Sequence, residues 1–333
     1  MESMKRETRL PRIMVVNINN VRQSRTGINC HLLMLTHSSR KYGPPARPRA
    51  AGAGRLLLLC LLPALLAGCA AGLTRSLNSS VSKAILNQDD PATVRAGAPA
   101  YLLLLDGLIQ GSPDDPALLR SAAELYGAYA TVFVNDKHRA RRLSEKALEY
   151  ARRSLCTDHP DVCAKSSGTF EEFAATLKDM SKSDVPRLYT LGAAWAGWVQ
   201  SRTDNWQALA DIAKIEAIMQ RVVQLNEKYE HGRAHLYLGV FHSRLPPSMG
   251  GKPEKGREQF KKAIAISGGR DLIDKVEYAR RYARLVFNKK LYDRLLHEVL
   301  DADPKAPGLT LSNVIAQRQA RKLLADSADY FGD

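Results

Sequence analysis

Among its 333 residues the chain has only 5 cysteines, 16 prolines and 22 glycines, and aromatic residues make up 7%. The glycine and proline counts are too low for a collagen-like or low-complexity chain. Few aromatics beside abundant Ala and Leu turn the expectation from an all-β fold towards helices. Hydrophobic residues at 45%, charged residues at 25% and a mean hydropathy of −0.28 exclude a polytopic membrane protein and a disordered chain. The chemistry-bearing motifs are missing too. There is no Gly-x-x-x-x-Gly-Lys-Ser/Thr loop, no Gly-x-Ser-x-Gly elbow and no His-Glu-x-x-His. Carboxylate pairs such as Glu171/Glu172 and Asp89/Asp90 read as solvated helix starts. No catalytic residue, resident metal or cofactor is expected, and the length allows one or two domains.

The net charge of +15 is unevenly placed: residues 1–68 hold 11 Lys+Arg against 2 Asp+Glu, leaving 38 bases and 32 acids beyond them. That mild excess is interleaved with acids on helices, as in Lys146/Glu149 and Lys255/Glu258, so no nucleic-acid partner is expected.

The basic residues between Arg40 and Arg55 run directly into the apolar stretch Leu56–Leu66. This has the length of a signal-peptide hydrophobic region and is too short to span a bilayer. It ends in Leu66-Ala67-Gly68-Cys69, which resembles the bacterial lipobox, with Cys69 as the lipid-bearing amino terminus after cleavage. Residues 1–33 have no such logic and fit an over-extended start ahead of Met34. Ala70 is not the aspartate associated with inner-membrane retention, which favours the outer membrane, facing the periplasm. The expected divisions are 1–68 for extension and signal peptide, 69–88 for a lipid-anchored linker and first helix, and 89–333 for the folded domain. Of the remaining cysteines, Cys156 and Cys163 flank a turn containing His159, Pro160 and two aspartates, and in an oxidising compartment they are expected to pair. A zinc site with His159 lacks a convincing fourth ligand.

Helices are expected over 92–110, 117–134 and 137–155 from apolar periodicity and from Asp/Pro starts. A pattern of small residues at helical offsets then recurs. It runs through Leu119, Ala123, Tyr126 with Ala140, Ser144, Ala147, and through Leu188, Gly192, Trp195 with Ala217, Arg221, Leu225. It returns in His235, Gly239, His242 with Gly256, Phe260, Ala263, and more weakly in Ala279, Tyr282 with Leu291, Leu295, Pro304. These offsets resemble tetratricopeptide repeats, in which small residues let antiparallel helices approach closely. The expected fold is all-α, with helical hairpins packed as a compact superhelix.

Trp195 and Trp198 stand three apart near Tyr189. Their simpler reading is core packing, and their functional one is an apolar pocket wall. His231, His235 and His242 share a helical spacing, and buried aromatic-like roles at repeat positions outweigh metal ligation. Arg280, Arg281 and Arg284 could present a guanidinium to a carboxylate ligand. Asp106 lies within an apolar helix, where it must face a cavity or pair with a base such as Arg139 or Arg142. The candidate ligand-contacting residues are Asp106, Tyr189, Trp195, Trp198, His235, Arg280 and Arg284.

Three strings carry a sharper signature: Val185-Pro186-Arg187-Leu188-Tyr189 leading to Gly192, Trp195 and Trp198; Ser243-Arg-Leu-Pro-Pro-Ser-Met-Gly-Gly251 leading to Phe260; and Ile266-Ser-Gly-Gly-Arg270. Together with Tyr278-Ala-x-x-Tyr282-Ala-Arg284, they resemble the T-component family of TRAP transporters from about Asp89 to Leu324. The resemblance implies a periplasmic lipoprotein with tetratricopeptide-like helices. It further implies a non-enzymatic partner of the extracytoplasmic solute-binding protein of a tripartite ATP-independent importer, homotrimeric, holding or passing a small organic anion. The alternative is a generic envelope scaffold that organises proteins and binds no solute.

Overall fold

The computed structural model describes residues 80–332, which are helices and connecting turns with no strand among them. The extension, the apolar run and Cys69 lie outside the described residues, and of the 69–88 segment residues 80–86 are helical. Fourteen further helices follow among the described residues. They are α1 (Pro91–Gly111), α2 (Pro116–Phe133), α3 (Lys137–Cys156), α4 (Pro160–Lys165), α5 (Phe170–Thr176), α6 (Val185–Gln200), α7 (Trp206–Ala210) and α8 (Ile212–Asn226). Next come α9 (Arg233–His242), α10 (Pro253–Ser267), α11 (Leu272–Glu277), α12 (Lys289–Asp301), α13 (Thr310–Ala325) and α14 (Ser327–Phe331). Tyr278–Ala283 continue α11 as a π turn.

The starts of the first three helices come from local chemistry. Asp90, Asp115 and Asp136 accept hydrogen bonds from the free N–H groups of α1, α2 and α3 at 2.7–3.1 Å. Proline at the first position of α1 and α2 supplies a residue whose missing N–H costs nothing there. The observed bounds fall within a residue of those expected.

α1 is long and apolar enough to cross a membrane by length and composition. One of its stripes, Val94, Ala98, Leu102, Leu105 and Ile109, is buried against the protein, while Leu103 and Leu104 face out. Burying each large aliphatic of that stripe contributes about 2 kcal/mol.

Consecutive helices pack in pairs: α2 on α3, α6 on α8, α9 on α10, and α11 with its π turn on α12. Each pair also touches the next, through α3 on α6, α8 on α9 and α10 on α11. Two close approaches depend on glycine. A Cβ on Gly192 would stand 2.7 Å from Met219 Cε, and one on Gly239 would stand 2.8 Å from the Phe260 ring. The array curls until its ends meet. α13 packs on α11, α12 and α1, and the Gly308 N–H donates to Asn87 Oδ1 at 2.8 Å. Leu311 of α13 accordingly belongs to the same apolar core as α1–α9.

Cys156, at the end of α3, and Cys163, in α4, are joined as a disulfide with Cα atoms 6.0 Å apart. It closes a short loop, so replacing both cysteines by serine is expected to lower the unfolding free energy by about 2 kcal/mol. Thermal unfolding with and without reductant measures this: the native chain loses stability on reduction and the double variant does not.

Candidate functional site

The inner faces of α2, α6 and α9 converge on one set of side chains. On α9, Arg233, Tyr237 and Phe241 recur every four residues and so share one helix face, and Tyr229 comes from the turn before it. Tyr189 of α6 meets this stripe edge-on, 5.4 Å from the Tyr229 ring and 6.2 Å from the Tyr237 ring. α2 contributes Arg120 and Glu124, paired at 2.6 Å, and Thr190 donates to the same Glu124 oxygen at 2.8 Å. Arg233 is held by Asp271 at 2.8 and 3.3 Å and donates to Ser312 of α13 at 3.2 Å.

These groups line a recess. The Glu124 side chain keeps 44% of its surface accessible and Arg233 keeps 29%, yet burial is the largest influence on how each titrates. Burial, reinforced by the negative charge of Glu230, raises the Glu124 carboxyl above the usual range despite Arg120 and Thr190. Burial likewise raises the phenols of Tyr189, Tyr229 and Tyr237, which stay protonated donors at any physiological pH. The recess presents three phenols, a carboxyl biased towards its neutral form, and two guanidiniums that are each paired with a carboxylate. That set suits an anion with an aromatic or apolar body.

The backbone entering α9 is strained. Glu230, His231 and Gly232 adopt φ of 47, 58 and 82° in succession, although only the last lacks a Cβ. This turn places Tyr229 against Tyr189 of α6 and puts the Glu230 charge beside Glu124 of α2.

Below the recess, Asp274 is buried, accepts from Ser267 at 3.2 Å and has one carboxylate oxygen without a partner. Burial, with the charge of neighbouring Asp271, raises its carboxyl well above the ordinary value. The folded state therefore favours the protonated acid, and its contribution to stability falls as pH rises from the unfolded group's value through the raised one. Asp274→Asn is expected to be more stable than the native chain at pH 7, with the gap closing towards pH 4. Urea unfolding at both pH values tests this.

The candidate residues read from the sequence do not form one site. Tyr189 lies in the recess. Arg280 is paired with Glu277, which also takes Arg281 at 3.1 Å. Trp195 is buried in the core, its ring edge-on to Phe173 and its N–H donating to Asp211 at 3.1 Å. Trp198 faces α3, donating to Glu145 at 2.7 Å beneath Arg202. His235 is buried between α9 and α10, its Nδ1 2.6 Å from Gln259 Oε1. Arg284 stacks on Tyr330 near the carboxyl terminus. Asp106 accepts from Tyr126 and Tyr150 at 2.8 Å and from Lys146 at 2.5 Å. Its partner is thus Lys146 and not Arg139 or Arg142; Arg139 instead lies over the Tyr129 ring. Burial works to raise the Asp106 carboxyl, but the three hydrogen bonds outweigh it and hold it below the usual range. Arg120, Glu124, Tyr229, Arg233 and Tyr237 are not among those candidates, although the four-residue spacing of Arg233, Tyr237 and Phe241 is a signal the sequence carries.

The model of the TRAP transporter T-component family matches residues 87–331. No curated protein matches the chain.

Proposed function

The chain belongs to the TRAP transporter T-component family, and from that membership we propose a periplasmic, lipid-anchored accessory that docks the solute-binding protein of the importer and holds or passes a small organic anion. Family membership by itself implies an accessory role in a TRAP transporter and an envelope or periplasmic location. The finer reading draws on the recess: the face formed by Tyr229, Arg233 and Tyr237, opposed by Tyr189 and Arg120, is the observation that carries it. Phenol rings enclose an apolar body and the guanidiniums answer a carboxylate. No covalent step is assigned to any residue, and the protein acts by binding alone.

The anchor is Cys69, at the end of the lipobox-like string. The helix pairs are read as tetratricopeptide-like repeats in a domain spanning 89–333, with 69–88 as the linker from the anchor. The assembly is read as a homotrimer. α1 offers a face for a second copy, since a Cβ at Gly97, Gly107 or Gly111 would meet nothing within 4 Å and Leu103 and Leu104 stand exposed beside them.

Mild in-cell crosslinking of the lipoprotein, purification and mass spectrometry test the partner. The expected result is recovery of a solute-binding protein, enriched over a control lipoprotein. Recovery of envelope-assembly proteins alone, with the solute-binding protein in the lysate but uncaptured, moves the assignment to the envelope scaffold. Native mass spectrometry of the same sample tests the recess. A small acidic molecule retained by the native chain is expected to be lost from Tyr189→Ala and Arg120→Met.

A further inference from the structure

The two edges of the helical array differ in charge. Segments within the helix pairs (134–142, 201–207, 243–255 and 285–290), each a turn with the first residues of the helix that follows, lie along one edge. Arg141 at the start of α3 donates to the Ser201 carbonyl after α6 at 3.0 Å, and His242 at the end of α9 stands 3.8 Å from Glu216 of α8. A cleft of about 430 Å³ likewise brings Asn288 and Lys290 to Arg257 and Lys261 of α10. These four segments contain ten Lys+Arg and three Asp+Glu. The turns between pairs (157–184, 227–232, 268–271 and 302–309), on the other edge and counted without the helix starts that follow, contain ten Asp+Glu, of which Asp184 and Asp271 are buried, and six Lys+Arg.

The basic edge also displays apolar side chains, from three of these segments and from the last turn of α2. Val132 is 44% exposed, Trp206 86%, Met249 66% and Phe287 64%. On the acidic edge the turns expose one large apolar residue, Phe170. Trp206 is not carried by a loose loop. Asp204 is gripped by Arg141 through two bonds of 2.6 and 2.7 Å, and Asn205 caps α7 at 2.9 Å. Phe287 is held at a φ of 55°, a conformation that disfavours a bulky side chain, and its ring packs on Tyr330 and Phe331 at 5.9 and 5.2 Å while its outer part stays exposed. Nor do the cations serve the helix they begin: Lys137, Arg139, Arg141 and Arg142 crowd the start of α3, the end at which a helix favours acids.

We propose that this edge rests on an anionic lipid surface, with Trp206, Met249, Phe287 and Val132 entering the interface and the basic side chains meeting lipid phosphates. The arrangement favours lipid over a protein partner. The core of a protein interface is a contiguous apolar patch depleted of charge, whereas here single apolar tips are separated by lysines and arginines. A bilayer accepts separate tips one by one, and its headgroup layer is where tryptophan is enriched and cations gain from anionic lipid. The inference does not rest on the transporter reading; it concerns how the chain lies against a membrane.

The test uses the mature chain from position 69 carrying Cys69→Ala, so that neither a lipid nor the apolar run Leu56–Leu66 is present, with vesicles of phosphatidylglycerol and phosphatidylethanolamine whose acyl chains are brominated. Trp195 is buried and Trp198 is covered by Arg202, so Trp206 is the accessible indole, and Trp206→Phe supplies the blank. Quenching of the emission that Trp206→Phe lacks is expected on these vesicles. It should be absent on phosphatidylcholine alone and reversed by high salt. Lys137→Ala, Lys255→Ala and Lys290→Ala combined are expected to weaken binding roughly 100-fold, about fivefold per cation, with an unchanged circular dichroism spectrum. Vesicle-bound protein whose Trp206 stays unquenched overturns the proposal, because another segment then makes the contact. Shielding of Trp206 by the purified solute-binding protein, with no quenching by brominated lipid, also overturns it and assigns the edge to a protein.

Discussion

Asp271→Ala is expected to lower the unfolding free energy by about 3 kcal/mol at neutral pH. Asp271 is fully buried and pairs with Arg233, which keeps limited access to water. Removing one member of such a pair strands the other charge, at a cost of about 3–5 kcal/mol, and the lower end applies because Arg233 retains Ser312 and some solvent. The loss has a structural reach, since Arg233 ties α9 to α13 and α13 closes the recess. Beside it, Asn313 of α13 donates to the Arg270 and Pro304 carbonyls at 2.9 and 3.1 Å and accepts from Leu272 N–H at 3.0 Å. Urea denaturation measures the effect. Arg233→Met with Asp271→Leu separates the charge from the packing, because replacing both ions by apolar groups should recover most of the stability. A single variant as stable as the native chain would mean that the pair contributes nothing to closing the array.

Gly256→Ala is expected to cost about 2 kcal/mol, against the usual direction for glycine in a helix. In open space the change to alanine stabilises a helix by about 1 kcal/mol. At Gly256, however, a Cβ would stand 2.1 Å from Ser243 Oγ and 2.9 Å from the Gly239 carbonyl oxygen. The hydroxyl can rotate away, but the backbone oxygen moves only if α9 and α10 separate. That separation would also open the contact of Gly239 with the Phe260 ring, and overpacking of this kind typically costs 1–3 kcal/mol. Gly107→Ala on the open face of α1 is the control and should stabilise by about 0.5–1 kcal/mol. The opposite signs, read from paired thermal melts, distinguish glycines required by close packing from glycines that merely occur in a helix.

The failure to gather the site from the sequence has an identifiable cause. Tyr189, Trp195 and Trp198 share α6, and their proximity in sequence suggested one wall. At about 100° per residue, nine residues carry Trp198 to the side of α6 opposite Tyr189, and six carry Trp195 well around it. The helical period thus already separated them. The same period unites Arg233, Tyr237 and Phe241 on α9, whereas Tyr229 reaches them only through the left-handed turn at 230–232. The local ion pairs of Glu277 with Arg280 and Arg281 follow from three- and four-residue spacing as well.

What the sequence determined by itself is therefore local. Aspartate and proline set the helix starts, apolar periodicity set the buried faces, and small residues at Gly192, Gly239 and Gly256 set which helices approach closely. Each depends on side chains within a few turns of one another, where geometry is dictated by the backbone period. The tertiary structure alone decided that α13 returns to α1, that Lys146 answers Asp106 across 40 positions of chain, and that α2, α6 and the turn before α9 bring Glu124, Thr190, Tyr189 and Tyr229 together. Those contacts depend on the accumulated angle between successive helix pairs. That angle is a sum of small packing displacements, which no single stretch of sequence encodes.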